Sequence, residues 1–304
     1  MDNLTHSLAG ALLGQIGLKR LSGRAMPTLI IAANLPDIDA ITTVVGMPSL
    51  AIRRGITHGP IALLLLPLLL TAMVIAYDRW RPREDAVPVR PAALLLLAYV
   101  GTLSHPALDW LNSYGIRLLE PLSSHWFAGD TLFIIDLWLW IALLAGVFVS
   151  LRRERAGTPH ATRPAVAALA AICAYIFANG LITGQAERAA SITLERGGIA
   201  PTLVVANPVP VRFWRRTLLW RDAASHGAGT YLVGVGAAGL AGRSPLRLDD
   251  PRLVAAAKRR DVAAFLFWSR MPIVVDDARG RAFLTDQRFA SGIARGRFAL
   301  PLDR

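Results

Sequence analysis

Four stretches of this chain are long and apolar enough to cross a bilayer, and they restrict its fold before any other feature is considered. They are Gly59–Tyr77, Pro91–Leu111, Thr131–Leu151 and Pro164–Gln185. A hydrocarbon core takes roughly 20 such residues as a helix. Within it every backbone N–H and C=O must find a partner inside the protein, so only helices or a closed barrel can span. No ten-residue alternating pattern repeats as a barrel requires, which leaves helices. Hydrophobic residues fill 54% of the 304 positions and the mean hydropathy is +0.43, above the range of soluble domains. The expectation is a mainly α fold: a polytopic bundle of about four spanning helices, with short helices in the N-terminal pieces Leu4–Leu18 and Pro27–Leu35. Met1-Asp2-Asn3 has no basic leader and no cleavage pattern follows, so no removable signal peptide is expected. The single cysteine, Cys173, excludes an internal disulfide and a multi-cysteine metal site.

Charge sets the expected topology. Arg79, Arg81, Arg83 and Arg90 crowd the loop Asp78–Arg90, and Arg152, Arg153, Arg155 and Arg163 crowd the loop Arg152–Arg163. Between them, Asn112–Asp130 has Arg117 alone against Glu120 and Asp130. Because basic loops stay in the cytoplasm, the first and third loops are expected inside and the second outside. Lys19, Arg20, Arg24, Arg53 and Arg54, ahead of the first full span, pull the other way.

The chain changes character after residue 185. Residues 186–304 hold 19 Lys and Arg against 10 Asp and Glu, which is +9 of the net +12. Thr202–Ala206, Thr230–Val235, Ala263–Trp268 and Pro272–Val275 are short apolar runs bounded by Pro, Gly or Asp, as strands are. Two domains follow: a membrane-embedded helical domain over 1–185 and a basic, mostly-β domain over 186–304, expected on the outer side. A basic surface there suits anionic lipid headgroups; a solvated surface fits as well. No nucleic-acid motif accompanies the charge, so no nucleic-acid partner is expected.

Ionisable side chains inside so apolar a region mark function by default, because charge near hydrocarbon is costly. His6 lies in "MDNLTHSLAG", Asp37 and Asp39 in "NLPDIDA", and His58 in "RRGITHG" at the mouth of the first span. His105 and Asp109 stand four apart near the end of the second, on one helical face. Asp130 and Asp136 flank the entry of the third, as possible additions to a site. In the four-crossing topology these groups share the outer membrane layer. Histidines with carboxylates and no thiols suit zinc or manganese. Each has a plainer reading too: Asp37 and Asp39 as helix caps, His105 and Asp109 as a buried ion pair, Asp136 bound to Arg117 or a backbone amide. His125, His160 and His226 read as interfacial or surface histidines.

In this order, "MDNLTHSLAG", "NLPDID", "RRGITHG" and "LSHPALDWLNSYGIRLLEPLS" resemble a bacterial family of inner-membrane proteins assigned as metal-dependent hydrolases, the YdjM/YbcI-type group. The likeness covers roughly residues 1–150. That family is distantly related to the helical zinc enzymes of the phospholipase C type. The resemblance implies His6, Asp37, Asp39, His58, His105 and Asp109 as ligands of one to three divalent ions, zinc or else manganese. It also implies a membrane-bound hydrolase, expected to act on phosphoesters of lipid or lipid-linked substrates through a metal-activated water. Asp39 and Asp109 are then the candidates for orienting water or accepting its proton, and Arg54, Asn112 and Arg117 those for meeting a phosphate. A non-catalytic scaffold with a structural metal is the alternative. A transporter is a weaker one, since the ionisable groups sit toward one end of the spans rather than the midplane.

Overall fold

A computed structural model describes residues 1–83, 87–291 and 295–303. Its elements are mainly helical, followed by antiparallel strands. The helices are α1 (Asn3–Gln15), α2 (Ala25–Asn34), α3 (Pro60–Trp80), α4 (Pro91–Trp110), α5 (Leu137–Arg155) and α6 (Arg163–Arg196). After α6 come strands β1 (Leu203–Pro208), β2 (Arg215–Arg221), β3 (Ser225–Leu232), β4 (Gly236–Ala238) and β5 (Ser244–Pro245). Two short helices, α7 (Pro251–Ala256) and α8 (Arg260–Trp268), precede β6 (Pro272–Asp276), β7 (Ala282–Asp286) and β8 (Ala299–Pro301). The chain forms two compact units: residues 1–40 with 54–179, and residues 41–53 with 180–304. The boundary expected near residue 185 therefore falls inside α6, whose 34 residues exceed the length a bilayer needs.

Four helical segments among the described residues are long and apolar enough to span: Ala25–Val45, Pro60–Trp80, Pro91–Trp110 and Arg163–Arg196. Three match the sequence reading. The fourth does not. Thr131–Asp136 is not helical, α5 starts only at Leu137, and its last turns hold Arg152, Arg153, Glu154 and Arg155. Its apolar part, Leu137–Leu151, is about 22 Å long, and the helix carries the chain from the end that holds Asp109 to the end where Glu154 meets Lys19. Ala25–Val45 is a segment the sequence reading did not include whole, and in it α2 runs on as 3-10 turns over Leu35–Val45.

In the first unit α2 lies between α1 and α4, and glycine permits the close approach on both sides. A Cβ on Gly10 of α1 would fall 2.7 Å from the Leu29 carbonyl oxygen, and one on Gly101 of α4 would fall 2.7 Å from Ala32 Cβ. Leu29 and Ala25 bury against Leu97, and Ala32 against Ala98 and Leu70, so these helices meet backbone to backbone along an apolar seam. Such small-residue contacts are how helices associate where hydrocarbon is the solvent. On the far side of α1, Trp140 of α5 donates its indole N–H to Thr5 Oγ1 at 2.9 Å. Asp136 caps α5 through the Leu139 N–H at 3.0 Å and accepts the Tyr175 hydroxyl.

The ends of these helices segregate by charge. Arg24, just before α2, pairs with Asp78 at 2.6 Å, the Gly23 N–H donates to the Pro88 carbonyl at 3.0 Å, and Lys19 pairs with Glu154. The basic loop Leu18–Arg24 thus shares one end with the described parts of the Asp78–Arg90 loop (residues 84–86 lie outside the described residues) and with the end of α5. Of the residues that pulled against the topology, Lys19 and Arg24 are at the end where the other basic loops are, whereas Arg54 is at the opposite end beside Asp109. The opposite helix ends carry Asp37, Asp39, His58, His105 and Asp109.

In the second unit β1 pairs with β2, β2 with β3, and β3 with both β4 and β5, all antiparallel. Ala186, Ala190 and Leu194 of α6 bury against Ala206, Leu218, Trp220 and Tyr231 of this sheet. A second sheet, β6-β7-β8, stands beside a stack of Trp268, Phe289 and Phe298. Ala263–Trp268, read as a strand from its apolar run, is the body of α8. Val262, Phe265 and Trp268 fall three apart on its buried side and Asp261 occupies its first turn, so helical periodicity prevails over composition.

Candidate metal centre

Five segments of the first unit bring their polar side chains to one buried point. α1 supplies His6, the turns after α2 supply Asp37 and Asp39, the turn before α3 supplies Arg54, Thr57 and His58, α4 supplies His105 and Asp109, and the following loop supplies Asn112. All of these except Thr57 are buried. One ligand atom from each of Asp37, His58, His105 and Asp109 lies within 4.8 Å of the other three.

The individual separations test whether a metal ion fits. His58 Nε2 and His105 Nε2 are 3.2 Å apart. Asp109 Oδ2 is 3.6 Å from the first and 3.5 Å from the second, and Asp37 Oδ1 is 3.7 Å from His105 Nε2. A tetrahedron of ligands about 2.1 Å from zinc has edges of about 3.4 Å. Four of the six separations are therefore close to that edge, and the two others, from Asp37 to His58 and to Asp109, are within 4.8 Å.

Proton positions, which follow from the partners, make the same point. His105 Nδ1 faces the Ala33 carbonyl at 2.7 Å, and a carbonyl only accepts, so this nitrogen carries the hydrogen. Thr57 donates its one hydroxyl proton to Asp39 Oδ2 at 2.9 Å, so toward His58 Nδ1, also 2.9 Å away, it can only accept. His58 is then protonated on Nδ1 as well. Both Nε2 atoms are left as lone pairs, facing each other and two carboxylate oxygens. Arg54 and the Met1 amino group offset the charge of Asp109, and a bound cation would draw the two imidazole lone pairs and the carboxylate oxygens to one point. Histidine ligands held by a second hydrogen bond on the other nitrogen are the usual arrangement at metal sites.

The remaining expected residues take distinct places. Asp39 is beside the group, accepting the Arg54 N–H at 2.7 Å and the Thr57 hydroxyl. His6 stacks on His105, ring centroids 3.8 Å apart, with Nε2 3.3 Å from Asp109 Oδ1. Arg54 grips Asp109 with two nitrogens, Nε to Oδ2 at 2.9 Å and a terminal nitrogen to Oδ1 at 3.0 Å. Its other terminal nitrogen donates to Asn112 Oδ1 at 3.1 Å and to the Gly115 carbonyl. Arg54 also has a left-handed backbone, φ 52°, secured by its N–H on Asp39 and its carbonyl on the Arg117 N–H. A strained residue persists only where its surroundings determine it, as they do here. Arg117 pairs with Glu120 at 3.0 Å and lies over the Trp126 ring; burial lowers the pKa of its guanidinium. Asp136 is the α5 cap described above, and Asp130 is buried in the turn that follows Gly129, outside the four-residue group. His125 stands edge-on to Phe127, His160 is exposed, and His226 belongs to β3.

Two participants were not foreseen. Thr57 adjoins His58 in "RRGITHG", but threonine is no strong ligand and only the fold shows it between Asp39 and His58. The Met1 amino group, paired with Asp109, is the other.

No curated protein and no solved structure matches the chain. The family model described as YdjM inner membrane protein matches residues 1–186, which include every residue of the buried centre. With four helices fit to span and a polar centre built from the motifs of that matched region, the chain belongs to the YdjM inner membrane protein family.

Proposed function

We propose that the protein is a membrane-bound hydrolase of phosphoesters in which Asp37, His58, His105 and Asp109 hold a divalent ion, with zinc preferred and manganese the other candidate. The observation that carries this reading is the pair of imidazole lone pairs, 3.2 Å apart, facing two carboxylates in a buried site. When bound, such an ion lowers the pKa of a coordinated water and polarises a phosphoryl oxygen. The chain's own groups do the rest. Arg54 holds Asp109 in place through its paired nitrogens. Asp39, next to the group and already oriented by Arg54 and Thr57, is the candidate to receive a proton from water. The buried Nδ2 of Asn112 has no hydrogen-bond partner among the described residues and is the candidate donor to a substrate oxygen. Arg117 is the candidate to meet the phosphate. His6 completes the wall and is the candidate ligand of a second ion.

An amphiphilic substrate suits the surroundings. Each segment that turns a ligand inward turns a large apolar side chain outward: Ile38 (51% exposed) lies between Asp37 and Asp39, and Ile56 (66% exposed) lies two residues before His58. Leu103 and Trp110 do the same beside His105 and Asp109. Exposed apolar groups at this density suit hydrocarbon rather than water, so a lipid or lipid-linked phosphoester is the proposed substrate class. The basic loops gathered at the other end support, by the positive-inside rule, a centre on the outer side of the membrane.

A purified full-length chain in lipid nanodiscs is expected to carry zinc at one to three equivalents. It should also release phosphorylated headgroups from phospholipid or lipid-linked phosphate faster than it cleaves a water-soluble phosphoester. Stripping the metal or replacing His105 with alanine should abolish both. A second reading rests on the Arg54–Asp109 pair, which by itself neutralises a buried carboxylate: the centre then only holds helices together. Metal content well below one equivalent would favour that reading and overturn the hydrolase.

A further inference from the structure

We propose that Thr57 is a positioning residue of the metal centre, fixing His58 in the tautomer that presents a bare Nε2 to the ion. The inference deepens the metal reading and rests on it. The hydroxyl sits between two groups with opposite demands. Asp39 Oδ2 takes the Thr57 proton at 2.9 Å and also the Arg54 N–H at 2.7 Å, so this oxygen acts as acceptor twice. Having given its proton away, Thr57 Oγ1 offers His58 Nδ1 a lone pair at 2.9 Å. Asp39 itself is farther from that nitrogen, at 3.5 Å, beyond a good hydrogen bond.

The competing tautomer has its own attraction, which is why the relay matters. With its proton on Nε2, His58 would donate to His105 Nε2 at 3.2 Å, whose lone pair is free because the His105 proton is held by Ala33. That bond would satisfy both imidazoles and close the site to a cation. The Thr57 hydroxyl tips the balance toward the open arrangement. Thr57 touches no ligand atom of the centre; it acts through His58.

The test uses the full chain in detergent, with Thr57→Val removing the hydroxyl at constant shape and Thr57→Ser restoring it. Zinc affinity, measured by competition with a chromogenic chelator, should fall about 10–100-fold in Thr57→Val and recover in Thr57→Ser. In metal-stripped protein labelled with nitrogen-15 at histidine, His58 should carry its proton on Nδ1 in wild type and Thr57→Ser, and shift toward Nε2 in Thr57→Val. A Thr57→Val protein with wild-type affinity and an unchanged tautomer overturns the proposal, as does a Thr57→Ser protein as weak as Thr57→Val. A wild type that takes up no zinc overturns the metal reading instead, and the tautomer measurement then decides the role of Thr57 alone.

Discussion

Replacing Asp109 with asparagine separates a metal centre from a structural ion pair, because the two accounts assign different energies to the same carboxylate. Asparagine keeps the shape and removes the charge that Arg54 holds at 2.9 and 3.0 Å. Breaking a buried pair from one side costs about 3–5 kcal/mol, since the other charge stays buried. If the site binds metal, a free ion at about a thousand times its Kd adds about 4 kcal/mol of stability, and Asp109→Asn forfeits that too. With zinc present the substitution should therefore cost about 7–9 kcal/mol, and with a chelator about 3–5 kcal/mol. The difference, about 4 kcal/mol, is a coupling between mutation and metal. Equilibrium unfolding of both proteins in mixed detergent micelles, with and without metal, completes the cycle. Wild-type stability should also rise by about 1.4 kcal/mol for each decade of free zinc above Kd. A coupling of zero, with the same 3–5 kcal/mol loss in both conditions, would refute the metal centre and leave the ion pair.

Other outcomes follow from the packing, the topology and the second unit. Gly101→Val puts side-chain atoms where a Cβ alone already falls 2.7 Å from Ala32, so it should destabilise the chain by about 1–3 kcal/mol and weaken zinc binding as α4 shifts off α2. Once Cys173 is replaced by serine, a cysteine at Leu122 should react with an impermeant thiol reagent outside intact cells. One at Val87 should react only after permeabilisation, and the reverse pattern would invert the assigned sidedness. In β7, burial pushes the Asp286 carboxyl up, but the charge and hydrogen bonds of Arg288, with the Ser269 hydroxyl, outweigh it and hold the pKa below its usual value. The stabilisation is therefore complete above the ordinary carboxylate pKa of about 3.9 and is lost as pH falls through the lowered folded value. Asp286→Asn should cost about 3–5 kcal/mol at neutral pH and flatten the acid limb of a stability–pH curve of the full chain.

How much of this was legible beforehand depended on whether the information was local. His105 and Asp109 were readable as a pair, because one helical turn brings them together whatever else the chain does. Asp37 and His58 stood out as costly groups in an apolar region, yet their place beside His105 depends on α2 docking against α4. The small contact surfaces that allow this, Gly101 and Ala32, look like any other small residues in a helix. The sequence shows only the short piece Pro27–Leu35 of the segment Ala25–Val45, because Pro36, Asp37 and Asp39 interrupt the apolar run, where the fold tightens into 3-10 turns. Thr131–Leu151 erred in the opposite direction: its hydrophobicity concealed a non-helical entry ending in the Asp136 cap. The Arg54 guanidinium, expected to meet a substrate phosphate, is instead taken up by Asp109, Asn112 and the Gly115 carbonyl, a network that no spacing in the sequence announces.

The scatter of the buried centre along the chain has a consequence for how the protein is made. His6, Asp37, Asp39, Arg54 and His58 all leave the ribosome before α4, and so enter the membrane ahead of the residues that will neutralise them. Asp109 is the partner of Arg54, and the His105 ring is what His6 stacks on, so neither early group finds its counterpart until the α3–α4 hairpin has been inserted and α4 has closed against α2. Until then Arg54 and His6 lack the contacts that bury them in the folded bundle. The four-residue group is complete only once α4, which supplies His105 and Asp109, is in place.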